Sequence, residues 1–183
     1  MEPQTPIEFT PGTSVIYALH GKCNVIGTET RQLGNESILF YKLEVSRSSL
    51  SRSVRHDPAI WVPVATAKNR GLRNPMNQDQ AEQALKALMS REYFFNTSES
   101  WSSLLPKLEA CIYAEGGIGL AKVASFLHVF KKRQVVASSE VNKLQENVFK
   151  LLLRELSEAL HTSARELEEK ISKGFRSKLI PDN

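Results

Sequence analysis

This chain has few of the residues that common catalytic and membrane-bound designs require. Only two of its 183 residues are cysteines, Cys23 and Cys111. They lie in segments of different type, which excludes a disulfide scaffold and a cysteine-rich metal site and fits a reducing compartment. The four histidines, His20, His56, His128 and His161, are scattered, and none stands at metal-ligand spacing with Cys, Asp or Glu. The chain lacks a G-x-S-x-G elbow, a Walker A loop and a G-x-G-x-x-G turn. No apolar run approaches the ~20 residues of a membrane span. The opening MEPQTPIEF has neither a basic n-region nor an apolar h-region, so no secretory signal is expected. The expectation is therefore a non-enzymatic, cytoplasmic protein with no metal, cofactor, membrane or small-molecule substrate.

Hydrophobic residues make up 41% of the chain and charged residues 24%, the balance of a folded domain with a real core. Net charge is +4, which points to a nucleic acid or an acidic protein as partner. The excess is modest, so any basic patch has to be local.

Residues 9 to about 66 alternate as strands do. Pro11-Gly12 makes a turn. Val15, Tyr17 and Leu19 alternate after it, and Val25 leads a second run. Gly34-Asn35 marks a hairpin, and Leu39, Tyr41, Leu43 and Val45 share one face. Ile60 to Val64 is the last clear strand, and Pro63 belongs at an edge because it has no N–H to donate. About five short strands predict a small closed or nearly closed barrel. Ser46 to Pro58, with three arginines and five serines, reads as a solvated loop or as a basic arm.

Gly71 and Pro75 punctuate Thr66 to Pro75, so the expected domains are 1–70 and 71–183. Beyond Asn77 the period becomes helical. Asn77 to Gln80 resembles a capping box. Ala81, Ala84, Leu85, Leu88 and Met89 form one apolar face. Trp101, Leu104, Leu105, Leu108 and Ile112 form the next, which Gly116-Gly117 is expected to end. Ala121, Ala124, Leu127 and Phe130 belong to a third helix. Val141 to Leu160 is the longest, and Leu167, Ile171 and Phe175 mark a fifth. The predicted class is α+β in two domains, a β-barrel followed by a compact bundle of about five helices.

Two features of the helical region point to chemistry. Residues 117–133 hold four basic residues, Lys122, Lys131, Lys132 and Arg133, and no acid, a composition for binding phosphates without reading sequence. At the end of a helix the last three also complement the dipole. Trp101 follows the polar run Asn96 to Ser100 and is either a core anchor or a wedge against a distorted base step.

The order of parts resembles a known family. F-x-P-G-x-x-V-x-Y-x-x-H-G at Phe9 to Gly21, V-P-V at Val62 to Val64, G-L-R at Gly71 to Arg73 and R-E-L-S at Arg154 to Ser157 are similar to the CarD/CdnL family of bacterial transcription factors. The likeness runs from about Phe9 to Phe175. It implies a Tudor-like barrel that docks on the β subunit of RNA polymerase. It also implies a helical domain that touches promoter DNA at the upstream edge of the bubble, and hence a nucleoid-associated location. Arg31 matches a basic residue of the polymerase-facing surface, and Trp61, Val62 and Pro63 match another part of it. Trp101 matches a tryptophan that wedges into the minor groove and holds the open complex. The pattern departs after Trp101, where Ser102, Ser103, Leu104, Leu105 and Pro106 replace basic residues of some members and Lys107 is the first cation. Trp61 stands where some members have arginine. The expected DNA grip is therefore Trp101 and Lys107, with Lys122, Lys131, Lys132, Arg133 and Lys143. The alternative is an interaction module that binds polymerase or another acidic partner without touching DNA.

Overall fold

A computed structural model describes residues 7–46, 59–90, 95–96, 98–133 and 139–177. The side chains of 131–133 and 176–177 lie outside that description, and so does the expected basic loop at 47–58. The chain divides into two compact units, Met1–Pro75 and Met76–Asn183.

The first unit is one antiparallel sheet. Its strands are β1 (Ser14–Tyr17), β2 (Gly21–Leu33), β3 (Glu36–Val45), β4 (Ile60–Pro63) and β5 (Leu72–Arg73), in the order β4-β3-β2-β1-β5. β2 and β3 turn on the two residues between Leu33 and Glu36. Gly34 there takes φ +64, open to glycine at no steric cost. One face carries the core, formed by Val15, Cys23, Val25, Tyr41, Leu43, Val62 and Leu72 with Phe9 from the preceding segment. Leu39, Val45 and Ile60 pack at its margin, so the alternation read from β3 holds. The buried Tyr41 hydroxyl accepts the backbone N–H groups of Glu8 at 3.0 Å and Phe9 at 3.4 Å, and the Phe9 ring meets Tyr41 edge-on at 5.7 Å.

The sheet does not close, which corrects the expected barrel. β4 has four residues and passes at Val64 into a 3-10 turn, while β5 has two and pairs only with β1. Among the described residues neither pairs with a further strand, so both remain edges. Pro63 lies on the open edge strand, where its missing N–H breaks no ladder. Leu72 and Arg73 belong to the sheet, so the units divide at Pro75 and Met76 instead of at residue 70.

β2 and β3 also carry an extra residue. Val25 pairs with Leu43 and Gly27 with Lys42, which leaves Ile26 unmatched as a bulge. Side chains alternate with period two, so one added residue exchanges the two faces beyond it. Cys23 and Val25 point into the core. Gly27, Glu29 and Arg31, which plain alternation would place beside them, point away from it.

Among the described residues the second unit has four helices, α1 (Gln78–Ser90), α2 (Trp101–Arg133), α3 (Ser139–Ala159) and α4 (Ala164–Ser177). This corrects the expected five. The second and third expected helices are the two limbs of α2, counted as one element but joined at a break in the helical path at Gly116, where the glycine pair was expected to end a helix. Gly116 takes φ 59, ψ −123, a conformation forbidden to residues with a Cβ. The limbs fold back on each other. Trp101 and Phe130 would lie ~43 Å apart in a straight helix, yet their ring centroids are 6.2 Å apart. Gly119 lies against the backbone of Cys111 and Ile112. Residues 101–130 are long and apolar enough, by length and composition, to cross a membrane. Their apolar residues Leu104, Leu108, Ile112, Leu120, Val123, Phe126 and Leu127 are buried in the unit, as in a core helix.

The helix faces follow the sequence. Ala81, Ala84, Leu85 and Leu88 are buried on α1, Val141, Val148, Leu152 and Leu156 on α3, and Leu167, Ile171 and Phe175 on α4. Asn77 and Gln80 form the reciprocal capping box, with Gln80 N–H on Asn77 Oδ1 at 2.9 Å and Asn77 N–H on Gln80 Oε1 at 3.1 Å. Ser163 and Glu166 repeat it before α4. Glu155 is 5% exposed and accepts the Met76 N–H at 2.9 Å, tying α3 to the entry of α1.

Gly119→Ala tests the fold-back. A Cβ at residue 119 would overlap the Cys111 carbonyl oxygen, and backbone cannot rotate away as a side chain does. The expected loss is about 3 kcal/mol in urea unfolding. A variant as stable as the parent would show that the limbs do not meet there.

Candidate docking surface and nucleic-acid face

The outward face of the sheet gathers three of the four residues expected at the polymerase contact, Arg31, Trp61 and Pro63. Register places Glu29 beside Phe40 and Pro63, Arg31 beside Ile38, and Lys42 beside Trp61, so all of them stand on the face opposite the core. Arg31 reaches from β2 over β3 to β4, and its Cζ stands 3.4 Å from the Trp61 ring centroid. Lys42 Nζ is 5.2 Å from the same centroid. Arg31 Nε donates to Glu29 Oε1 at 3.2 Å. In the register Arg31 and Trp61 lie diagonally on either side of Phe40, which is 8% exposed although it faces away from the core.

Trp61 and Pro63 are half-buried on this face. Val62 points the other way and is fully buried in the core, so β4 offers only its backbone at that position. Glu29, Phe40 and Lys42 were not singled out by sequence reasoning. The alternation of β3 already separates Phe40 and Lys42 from Tyr41 and Leu43. For Glu29 and Arg31 the bulge at Ile26 hid the facing.

The expected DNA residues do not form one patch. Trp101, at the start of α2, is half-buried. Its ring stacks on Phe130, Phe130 stacks on Phe126 at 5.3 Å, and Phe126 meets Phe95 at 5.2 Å. Its Nε1 is buried with no acceptor among the described residues, so this indole is an anchor of the unit with part of its surface left to solvent. Lys107 donates to Glu99 at 2.6 Å, and Lys122 donates to Glu115 across the Gly116 turn. Lys143 is exposed on α3. The backbone of α2 reaches Arg133, but the side chains of Lys131, Lys132 and Arg133 lie outside the described residues.

Among the described residues no cluster of three His, Cys, Asp or Glu could hold a metal. His20 stacks on Tyr17 at 4.9 Å and His128 on Phe175 at 4.2 Å. A surface depression lined by Asp79, Glu82, Gln83 and Lys86 lies along one exposed face of α1 and pairs no nucleophile with a base. No family model matches the chain, and no curated protein matches it.

Burial pushes the Cys23 thiol up to about 11. Cys111 is also pushed up to about 11, by burial first and then by the Glu115 carboxylate, with Lys122 opposing. A raised pKa keeps the thiol protonated, and the thiolate is the nucleophile. Iodoacetamide alkylation of Cys111 should therefore keep rising about tenfold per pH unit from pH 8 to pH 10. A plateau beginning near pH 9 would mean an ordinary thiol.

Proposed function

We propose that this chain is a non-enzymatic regulator of transcription initiation that docks on the β subunit of RNA polymerase through the outward face of its sheet. The carrying observation is the Arg31–Trp61 stack, 3.4 Å from guanidinium carbon to ring centroid. It joins, on one solvent-facing surface, two residues that the resemblance to CarD/CdnL proteins assigns to the polymerase contact. On this reading the five-stranded sheet is an open version of the Tudor-like module. Its β4 edge lies next to the stack, so backbone and side-chain recognition would share one surface.

In the same reading the helical unit steadies the open promoter complex. Trp101 is the minor-groove wedge, aided by Lys143 and by the basic end of α2. An apolar side chain entering a base step costs a few kcal/mol of unstacking, least where the duplex is already opening. A factor that prefers the melted state shifts the equilibrium by that difference in affinity.

A second reading has its own observation. The buried Trp101 Nε1 and the ion pairs at Lys107 and Lys122 withdraw three of the expected DNA groups from free solvent. They favour an interaction module in which the helical unit contacts protein only.

Co-elution with bacterial RNA polymerase on gel filtration tests the docking. The chain should co-migrate, and Arg31→Glu should abolish it. Absence of co-elution by the unmodified chain would end this reading. Open-complex lifetime then separates the two roles of the helical unit. Trp101→Ala should shorten it severalfold with polymerase binding intact, at a stability cost of about 2 kcal/mol from the lost ring packing. An unchanged lifetime would favour the module without DNA contact.

A further inference from the structure

We infer that Trp61 is a positioning residue, which holds Arg31 so that its two Nη groups face outward together as a fork for a carboxylate on a partner protein. The inference deepens the proposed docking role and rests on it. Arginine on an exposed strand ordinarily samples many rotamers. Here three features constrain it. The guanidinium carbon lies 3.4 Å from the Trp61 centroid, close enough for cation–π attraction. Its Nε is held by Glu29 at 3.2 Å. The register sets Phe40, which is 8% exposed, on β3 between the strand positions of Arg31 and Trp61. Among the described residues no acceptor meets either Nη group, so the end of the fork is open.

The chemistry of the occupant follows from that geometry. Two parallel N–H donors match the two oxygens of a carboxylate. At the indole itself two cations, Arg31 and Lys42, meet one acid, Glu29. Two further acids stand on the same face, Glu44 two residues beyond Lys42 and Glu36 two residues beyond Ile38 on the Arg31 side. A single acidic side chain fits this balance better than a nucleic-acid backbone, whose grip needs many cations. Glu29 beside the fork would repel a run of phosphates. Trp61 thus supplies aromatic backing where an arginine would add only charge.

The test has an arm that needs no polymerase. In the full-length chain, the Arg31 side-chain NMR signals should be shifted upfield by the indole ring current. The Nε–H should exchange slowly. Trp61→Phe should retain both signs and Trp61→Leu should lose them, with the rest of the spectrum unchanged. Hexaglutamate, titrated at low salt, should move the Arg31 Nε–H signal. Trp61→Leu should weaken that binding about fivefold and Trp61→Phe should restore it. Arg31→Lys, an exposed change that keeps the charge but removes the fork, should weaken it similarly. The double variant should be no weaker than Arg31→Lys alone. Additive losses, or an Arg31 signal indifferent to Trp61, would overturn the inference. So would a duplex DNA of matched charge that binds tighter than hexaglutamate in a Trp61-dependent way. Should polymerase fail to bind while the hexaglutamate pattern holds, only the polymerase reading falls.

Discussion

The unpaired Ile26 decides what the sheet presents to solvent. Without it, Glu29 and Arg31 would continue the face that carries Cys23 and Val25 into the core. The core does not extend that far along β2, since Thr28 and Thr30, which stand on its side beyond the bulge, are exposed, so what the bulge decides is which neighbours Glu29 and Arg31 meet. With it, the same residues stand beside Phe40, Lys42 and Trp61 on the outward face. The bulge also leaves Ile26 itself 46% exposed, an unfavourable position for an isoleucine that the change of face requires. The cation–aromatic cluster on the outward face follows from that single mismatch between two strands.

The helical unit depends on a comparable one-residue event. Gly116 reverses α2, and the reversal brings the first residue of the helix against the thirtieth. Trp101 then completes an aromatic column with Phe130, Phe126 and Phe95. The Glu115–Lys122 ion pair spans the turn, and Met76 lies against Gly117. A residue expected to act outward is thereby committed largely to packing. Any contact it makes with a partner uses what the column leaves exposed, and that contact is held rigidly because the ring cannot leave without opening the column.

Legibility from the sequence followed periodicity. The apolar faces of α1, α3 and α4 stand where the spacing of Leu85, Leu152 and Ile171 put them, since 3.6-residue spacing leaves one consistent stripe. The capping box at Asn77 and Gln80 was visible because its geometry is local. The faces of β3 were visible for the same reason. The bulge was not, since one extra residue leaves Cys23, Val25 and the positions after them looking like one continuous alternation. The open sheet was hidden as well, because closure depends on how far β4 and β5 extend, and that is set by where Val64 and Leu72 leave the extended conformation. The break at the Gly116-Gly117 pair was legible from glycine alone, since the helical path is interrupted there, at Gly116. The site was half legible. Resemblance named Arg31 and Trp61, but nothing in their separation of thirty positions showed that they touch.

The distribution of charge bears on which of the two surfaces dominates recognition. A formal net charge of +4 invites a nucleic-acid reading, and ion pairs leave it unchanged because each removes one charge of either sign, but they lower the number of cations free to meet a phosphate locally. Lys107, Lys122, Arg154 and Arg165 each face a carboxylate. Exposed pairs of this kind are worth a fraction of a kcal/mol and are screened by salt, so they can be exchanged for phosphate, though at no large gain. Arg31 is also paired, but its partner takes the Nε edge and the ring takes the face, and neither competes for the open end of the fork. Binding energy per group should therefore be concentrated at the sheet. The helical unit would then add affinity chiefly once the sheet has brought it near its target, where tethering raises the effective concentration and weak contacts suffice.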